Sequence, residues 1–317
     1  MKILANDGIS PSGIAPLEAA GFEVQTTKVA QEQLIDYINS EGIIVLLVRS
    51  ATKVRKDLID ACPDLKMIGR GGVGMDNIDV EYAKSKGVEV INTPAASSDS
   101  VAELVFSHLF GMLRFLYTSN REMPLEGDSR FKELKKAYSK GRELQGKTLG
   151  IIGFGRIGQA VARRAFGLGM NVVAADANSF ELPIELSFPN GATVSIPVAT
   201  TSLEEALSAA DFVSLHVPGG GAEALIGERE LALMKQGSCL INAARGGVVD
   251  EKALLAALES GQLAHAALDV FENEPNPEVK LLMHPQISLS PHIGAATLEA
   301  QERIGEELAA QIISSLG

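Results

Sequence analysis

The stretch from Thr148 to Asp176 constrains the fold of this chain more than any other part. A short apolar run of the length of a buried strand, 149–152, leads into three glycines spaced G-x-G-x-x-G. A helical pattern follows the glycines, and a second apolar run then ends on Asp176. The pattern predicts a strand, a tight turn, a helix and a second strand, with a carboxylate at the tip of the second strand.

Each part of this stretch suits the binding of a dinucleotide. The first glycine permits the turn, the second lets the backbone approach a pyrophosphate, and the third lets the helix pack closely on the strand. The carboxylate of Asp176 can accept hydrogen bonds from ribose hydroxyls and would repel a 2′-phosphate, so we expect NAD rather than NADP. The alternative is a glycine-rich turn in an unrelated sheet, which would not require a strand before the glycines, a helix after them and an acid at the end of the next strand. The residues predicted to bind the cofactor here are Gly153, Phe154, Gly155, Arg156, Ile157, Gly158 and Asp176.

Strand-like and helical patterns alternate along the rest of the chain, which predicts an α/β protein with parallel sheets. The predicted strands before the glycines are 2–5, 43–48, 65–68 and 88–91, and those after them include 212–217, 239–243, 265–270 and 287–289. We therefore expect two lobes. One is a Rossmann-type doubly wound sheet over residues 98–290, and the other is a flavodoxin-like substrate lobe formed by residues 1–97 and 291–317.

Two segments carry more specific predictions. Residues 98–120 are apolar around most of a helical circumference, which predicts one long buried helix that connects the lobes. His108 lies within it and is interpreted as a structural histidine, because nothing else in that helix offers acid–base chemistry. Asn190-Gly191 separates two β-like runs, which predicts an inserted hairpin over residues 180–198.

Composition excludes several classes of function. The net charge of −12 argues against nucleic acid, whose phosphates require a basic surface. No apolar run approaches the ~18 residues that cross a bilayer, and the first residues lack the apolar core of a signal peptide. The only two cysteines, Cys62 and Cys239, are expected to be reduced core thiols of a cytoplasmic protein. We predict neither a metal site nor a membrane partner.

Three stretches late in the chain place charged or titratable side chains at predicted strand ends, where open α/β sheets bind ligands. They contain Arg245 in N-A-A-R-G-G, Glu274 in E-N-E-P, and His292 in S-P-H-I-G. Taken singly, these residues have plainer explanations as a solvated loop arginine, a turn residue and a structural histidine. Histidine, however, suits proton transfer near neutral pH, and arginine can hold a carboxylate with two hydrogen bonds.

Together with the glycine turn, these motifs resemble the D-isomer-specific 2-hydroxyacid dehydrogenases over nearly the whole chain. The resemblance implies that Arg245 holds the substrate carboxylate, that His292 exchanges the proton of the reacting hydroxyl, and that Glu274 orients His292. It also implies a small anionic 2-hydroxy or 2-oxo acid as substrate. We expect a homodimer or homotetramer. Further cofactor contacts are implied for His216, Val217, Pro218, Ala243, Ala244, Asp269 and Gly294.

Within that family, three segments at the start of the chain, 48–53, 69–79 and 92–104, are similar to the corresponding segments of the phosphoglycerate dehydrogenases. The resemblance implies that backbone N–H groups at Val73 and Gly74 hold the substrate carboxylate, and that Arg49 and Arg70 supply positive charge for a 3-phosphate. The expected reaction is NAD-dependent oxidation of 3-phosphoglycerate to 3-phosphohydroxypyruvate, which opens serine biosynthesis. Both arginines could instead be surface residues, and Lys53 is expected to be solvated.

Other functions on the same scaffold stay open: a glyoxylate or hydroxypyruvate reductase, a D-lactate dehydrogenase, or a NAD-sensing corepressor. The chain also departs from the family in two places besides the hairpin. Gly219-Gly220-Gly221 replaces polar residues, which is expected to loosen contacts near the adenosine. The chain stops at Gly317 where many phosphoglycerate dehydrogenases continue into a regulatory domain, so feedback by serine through that domain is not expected.

Overall fold

The computed structural model describes residues 1–219, 221 and 223–317. The chain divides into two compact units, one formed by residues 1–100 and 295–317 and the other by residues 101–294. Each unit contains its own sheet with apolar clusters on it. The predicted α/β class is confirmed: the smaller sheet is parallel, and the larger one is parallel apart from one antiparallel edge strand. Both cysteines are free and buried. No helix within the described residues is long and apolar enough to cross a membrane.

The first unit is built on a five-stranded parallel sheet in the order β2-β1-β3-β4-β5. Its elements before residue 93 are β1 (Lys2–Ala5), α1 (Pro11–Ala19), β2 (Glu23–Gln25), α2 (Leu34–Glu41), β3 (Ile43–Val48), α3 (Lys56–Ala61), β4 (Met67–Arg70), α4 (Val80–Ser85) and β5 (Glu89–Asn92). The strand β3 is apolar at every position and nearly all buried, as a central parallel strand requires. The strand β2 was not predicted, because its three residues contain a single apolar side chain.

The second unit contains an eight-stranded sheet in the order β13-β12-β11-β10-β6-β7-β9-β8. Its elements are α5 (Ser98–Leu113, which begins in the first unit), α6 (Leu116–Glu126), α7 (Phe131–Ala137), β6 (Thr148–Ile152), α8 (Arg156–Gly167), β7 (Asn171–Ala175), β8 (Glu181–Ser187), β9 (Thr193–Thr201), α9 (Leu203–Ala209), β10 (Phe212–Leu215), α10 (Glu228–Leu233), β11 (Ser238–Asn242), α11 (Glu251–Glu259), β12 (Leu263–Leu268), α12 (Val279–Leu282) and β13 (Ile287–Leu289). The chain runs from β6 to one side and returns to β10 on the other side, so a topological switch point lies between these two strands.

The closing helix, α13 (Leu298–Leu316), packs in the first unit against α1. Two glycines allow this contact. A Cβ on Gly13 would lie 2.7 Å from the carbonyl oxygen of Gly305, so the two helices meet backbone to backbone. Apolar side chains of α13, including Ile304, Leu308 and Ile312, complete the apolar cluster on that face of the five-stranded sheet.

The predicted hairpin is confirmed. The strands β8 and β9 pair in antiparallel register, and Gly191 in the turn between them has a φ of +84°. The hairpin extends the edge of the large sheet, because the end of β9 also pairs in parallel with β7. Ile184 and Val198 are buried against the core on which α8 lies. At the base of the hairpin, Phe180 stacks on Phe154 with ring centroids 6.4 Å apart.

The prediction of one helix over residues 98–120 is wrong. The helix α5 ends at Leu113, and α6 begins at Leu116 after a residue, Phe115, whose φ is +54°. The ring of Phe115 packs on Tyr138 and His265, with centroids 5.7 Å and 6.3 Å away. This local packing outweighs the helical periodicity, which continues through the break in the sequence.

Candidate functional site

The glycine turn lies at the switch point of the large sheet. Gly153 directly follows β6 with a φ of +91°, and a Cβ there would lie 2.5 Å from the carbonyl oxygen of His216, which follows β10. A Cβ on Gly158 would lie 2.2 Å from the carbonyl oxygen of Gly153. In contrast, a Cβ on Gly155 would meet nothing within 4 Å. The turn therefore packs tightly on other backbone at Gly153 and Gly158, and it leaves open space at Gly155, from which α8 starts.

Asp176 is held beside this turn at the end of β7. Its Oδ2 accepts a hydrogen bond of 2.8 Å from the backbone N–H of Phe154, and its Oδ1 accepts one of 3.3 Å from Asn178. The side chain of Phe154 is fully buried, so this predicted cofactor residue can offer a ligand only its backbone. The carboxylate is half-buried, and these two hydrogen bonds fix its orientation.

The two ring nitrogens of His216 differ in their surroundings. Its Nε2 lies 2.8 Å from the hydroxyl oxygen of Ser214. Its Nδ1 is buried and has no hydrogen-bond partner among the residues that the structure describes. Burial lowers the pKa of His216 to about 3, so the imidazole is neutral at physiological pH. Val217 and Pro218 follow it, and of the predicted three-glycine segment Gly220 lies outside the described residues.

The loop after β11 carries Arg245. The side chain of Asn242 organises this loop, since its Nδ2 donates to the carbonyl of Arg245 at 3.0 Å and its Oδ1 accepts from Ala244 N at 3.1 Å. The guanidinium is half-buried, and its Nη1 donates to the carbonyl of Ala244 at 2.6 Å. Gly219 lies against the stem of this side chain, because a Cβ at Gly219 would come within 2.9 Å of the Arg245 Cβ.

Two contacts tie the Arg245 loop to the segment that carries Glu274. A Cβ on Gly246 would lie only 1.9 Å from the carbonyl oxygen of Phe271, so the two backbones touch. Glu251, at the start of α11, accepts a hydrogen bond of 2.9 Å from the backbone N–H of Glu272. Burial raises the pKa of the Glu251 carboxyl. The predicted arginine and glutamate thus belong to packed, neighbouring segments of the second unit.

Glu274 and His292 form a hydrogen-bonded pair. The Oε2 atom of Glu274 lies 2.8 Å from Nδ1 of His292, and its Oε1 accepts a hydrogen bond of 3.1 Å from Phe271 N. Both side chains are partly open to solvent. They border a cavity of about 400 Å³ with largely apolar walls, which include Phe271, Leu282 and Leu289.

Asp269 binds the Ser290 hydroxyl before His292 and two backbone N–H groups after it, and sequence reasoning missed this role. The carboxylate is 2% exposed and accepts hydrogen bonds from Ser290 Oγ at 2.6 Å, Ile293 N at 2.8 Å and Gly294 N at 2.9 Å. We call residues 290–294 the His292 turn. The sequence does show an aspartate directly after a predicted buried strand. The hydrogen-bond partners of this aspartate, however, are known only from the fold. Its predicted contact with the cofactor stays a prediction.

In the first unit, the structure places the predicted substrate residues at the carboxyl ends of neighbouring strands. Arg49 follows β3, and its backbone N–H donates to Asp7 at 2.6 Å. Arg70 ends β4, where its Nη1 donates to the carbonyl of Gly71 at 3.0 Å. The carbonyl of Val73 accepts a hydrogen bond from Asn92, and Gly74 follows it. The predicted role of Val73 and Gly74 stays a prediction.

Arg49 also borders a cavity of about 300 Å³ at this edge of the smaller sheet. Lys28 lines the same cavity, and sequence reasoning had not selected it, because it follows the short strand β2 that was not predicted. The carboxylate of Asp7 lies in the wall but is engaged by N–H and hydroxyl groups of residues 49 and 52. The full lining is Asn6, Asp7, Gly8, Thr26, Lys28, Arg49, Ser50 and Ala51.

Comparison with known proteins identifies the second unit. Residues 106–294 match the family described as D-isomer specific 2-hydroxyacid dehydrogenase, NAD binding domain. The chain is 42% identical to a hydroxypyruvate reductase of Thermotoga maritima, over 93% of this chain and 92% of that protein. It is 41% identical to a D-3-phosphoglycerate dehydrogenase of Methanocaldococcus jannaschii, over 98% of this chain but 57% of that protein. A glyoxylate reductase structure from Paecilomyes thermophila matches with a TM-score of 0.80 and 32% identity, over 99% of this chain and 95% of that one.

The second unit fits NAD. The open space at Gly155 leaves room for a pyrophosphate beside the backbone N–H groups at the start of α8. Asp176 presents a fixed carboxylate for ribose hydroxyls, and Nδ1 of His216 is a buried polar atom that the described residues leave unsatisfied. We therefore keep the predicted cofactor residues as the candidate NAD site, with Ala243 and Ala244 at the end of β11.

Two glycines of α8 allow a matched test of the turn. In Gly158→Ala, the new Cβ meets a backbone oxygen at 2.2 Å, so the turn must shift. We expect a loss of about 1–3 kcal/mol in the free energy of unfolding and weaker NADH binding. In Gly167→Ala, the Cβ meets nothing within 4 Å, so stability should be unchanged or rise by up to about 1 kcal/mol. Urea unfolding and NADH fluorescence titration measure both effects, and equal behaviour of the two variants would contradict the role of Gly158.

Proposed function

Because this chain belongs to the D-isomer specific 2-hydroxyacid dehydrogenase family, we propose that it oxidises 3-phosphoglycerate to 3-phosphohydroxypyruvate with NAD. The observation that carries the proposal of acid–base chemistry is the pair of His292 and Glu274, in which the carboxylate binds Nδ1 of the imidazole at 2.8 Å. The proposal that the substrate carries a phosphate is supported by Arg49 and Lys28, which line one cavity of the first unit.

The hydrogen bond to Glu274 assigns different tasks to the two nitrogens of His292. If Nδ1–H donates to the carboxylate, Nε2 carries the lone pair and can take the proton of the substrate hydroxyl. The positive charge that forms on the imidazole is then stabilised by Glu274, whose other oxygen is anchored by Phe271 N. Bound NAD supplies a hydride acceptor at C4 of its nicotinamide ring.

Arg245 is proposed to hold the substrate carboxylate and polarise the oxygen that becomes a carbonyl. Arginine carries a permanent positive charge, so this side chain can stabilise both the substrate carboxylate and the developing charge on that oxygen. Three features of the structure fix the loop that carries it: the side chain of Asn242, the contact of Gly246 with Phe271, and the close packing of Gly219 on its stem.

The 3-phosphate is proposed to bind near Arg49, with Arg70 at the end of the neighbouring strand. A dianion needs more than one cationic group in a protein with a net charge of −12, and Lys28 on the same cavity adds a second charge to that of Arg49. We also propose that the protein supplies serine biosynthesis in the cytoplasm, where the free thiols of Cys62 and Cys239 would stay reduced.

A homodimer or homotetramer is proposed on the basis of an exposed apolar surface on α5, α6 and α7. Phe110 is 45% exposed, Leu116 63%, Leu125 80% and Phe131 57%, which is unusual for large apolar side chains grouped on neighbouring helices. Burial of this surface against a second copy would remove it from water.

Hydroxypyruvate reduction without a phosphate is the second candidate function. The observation in its favour is that the chain matches the Thermotoga maritima hydroxypyruvate reductase over 92% of that protein's length, whereas it spans 57% of the length of the Methanocaldococcus jannaschii phosphoglycerate dehydrogenase. These relatives are named as a reductase and a dehydrogenase, which favours an enzyme over a NAD-sensing corepressor.

Replacement of the proposed base tests the chemistry. We expect His292→Ala to lower kcat by ~10²–10⁴-fold, because proton transfer would lose its acceptor. NADH affinity should change little, and fluorescence titration checks this in the same preparation. Glu274→Gln should lower kcat less, since it keeps a hydrogen-bonding partner for the imidazole but removes the charge. Wild-type turnover in His292→Ala would remove His292 from its proposed role.

Replacement of Arg49 separates the two candidate substrates. Steady-state rates are measured with NADH on 3-phosphohydroxypyruvate and on hydroxypyruvate. Arg49→Ala should lower kcat/KM for the phosphorylated acid roughly 10–100-fold, because a hydrogen bond to a charged group is lost, and should spare the unphosphorylated acid. The control is Arg55→Ala, since Arg55 pairs with Asp79 and does not line the cavity. Equal losses on both acids would argue against a phosphate site.

A further inference from the structure

His108 is a buried histidine whose two ring nitrogens both have partners. It lies on α5 and is 6% exposed. Its Nδ1 is 2.8 Å from Ser288 Oγ, and its Nε2 is 3.0 Å from Ser290 Oγ. The two serines lie in and directly after β13, so this histidine contacts the beginning of the His292 turn.

The hydrogen bonds around Ser290 have a direction. The Ser290 hydroxyl donates its only proton to Asp269 Oδ1, at 2.6 Å, so toward His108 it can act only as an acceptor. Nε2 of His108 must therefore carry a proton and donate it. Burial lowers the pKa of His108, against the smaller opposing effect of the Asp269 charge, which favours the neutral ring. Nδ1 of a neutral ring then accepts the hydroxyl proton of Ser288.

This chain of donors ends on the carboxylate that holds the His292 turn. Asp269 accepts the backbone N–H groups of Ile293 and Gly294 with its two oxygens. His292 itself has a φ of +55°, a conformation that is uncommon for a residue other than glycine. The hydroxyl of Ser290 is the third donor to Asp269, and His108 is the group that orients it.

We propose that His108 is a positioning residue for the reaction, which acts through Ser290 and Asp269 on the backbone that carries His292. The proposal rests on the proposed function of His292 as the proton acceptor. His108 touches neither the reacting atoms nor the cofactor in this account. It directs the Ser290 proton onto Asp269, and so helps to keep the imidazole of His292 in line with Glu274.

The kinetic test compares His108→Leu with His108→Gln at saturating NADH. Leu removes the donor to Ser290, whereas the amide of Gln can still donate toward it. For His108→Leu we expect kcat to fall roughly 10–100-fold, the cost of a small misplacement of a catalytic group, with KM and NADH affinity nearly unchanged. His108→Gln should recover most of the loss. Equal losses in both variants, or wild-type kcat in His108→Leu, would overturn the proposal.

Two further variants separate positioning from a loss of core packing. Ser290→Ala should lower kcat as much as His108→Leu does, and the double variant should be no slower than Ser290→Ala alone, because both changes interrupt one path. His265→Leu removes another partly buried histidine of the second unit that has no bond to this path, so it should lower the melting temperature without lowering kcat. If the fold-losses in kcat of the two single variants multiply in the double variant, His108 does not act through Ser290.

A spectroscopic measurement keeps this inference distinct from the proposed function. With ¹⁵N-labelled histidine, the wild-type spectrum should show His108 as the neutral form with its proton on Nε2. The ring signals of His292 should shift in His108→Leu and return toward wild type in His108→Gln. If the wild-type protein reduces no 2-oxo acid, the proposed function fails. The ¹⁵N signals of His292 then still show whether His108 controls the position of the His292 ring. Unshifted His292 signals in His108→Leu would overturn the positioning role.

Discussion

The candidate site of the second unit depends on one buried carboxylate. Asp269 is almost fully removed from water, and an ionised carboxylate in that position is tolerated only when donors surround it. Three donors do so, one hydroxyl and two backbone N–H groups, and all belong to the His292 turn. These bonds allow His292 to adopt a positive φ, which by itself costs an L-residue roughly 1–2 kcal/mol. The charge of Asp269 is thus used to shape the backbone around the proposed base.

The parallel sheet explains why the other groups occur where they do. The strands β6, β10, β11 and β12 are adjacent and parallel, so the residues that follow them emerge at one edge of the sheet. The glycine turn follows β6, His216 follows β10, Arg245 lies after β11, and Asp269 follows β12. Close backbone contacts, at Gly153 on His216 and at Gly246 on Phe271, fix neighbouring loops to each other. The loops at this edge therefore hold one another in place, mainly through close backbone contacts at glycines and through the hydrogen bonds of one carboxylate.

Much of this arrangement could be predicted from the sequence, because its signals are local. The glycine spacing with Asp176, the apolar strands and the Asn-Gly turn of the hairpin each depend on residues close together in the chain. The roles of Arg245, Glu274 and His292 came from resemblance to a family, and the structure adds the contact between Glu274 and His292. The roles carried over for individual residues stay predictions.

The rest could not be predicted because it depends on contacts between distant residues. The break at Phe115 follows from packing on two rings that lie beyond the helix, and Lys28 enters a cavity that only the fold creates. From the sequence, His108 is interpreted as structural because nothing else in its helix offers acid–base chemistry, and its actual partners lie 180 and 182 residues away. In each case the deciding interaction is tertiary, and no pattern along the chain reports it.

The most direct test of the central claim follows the hydride. Wild-type protein is incubated with 3-phosphohydroxypyruvate and NADH that carries deuterium at one of the two C4 positions, and the product is analysed by chiral chromatography and mass spectrometry. The account predicts the D-isomer of the 2-hydroxy acid with a single deuterium at C2, from one of the two labelled forms only. No product, or product without deuterium from either form, would contradict it.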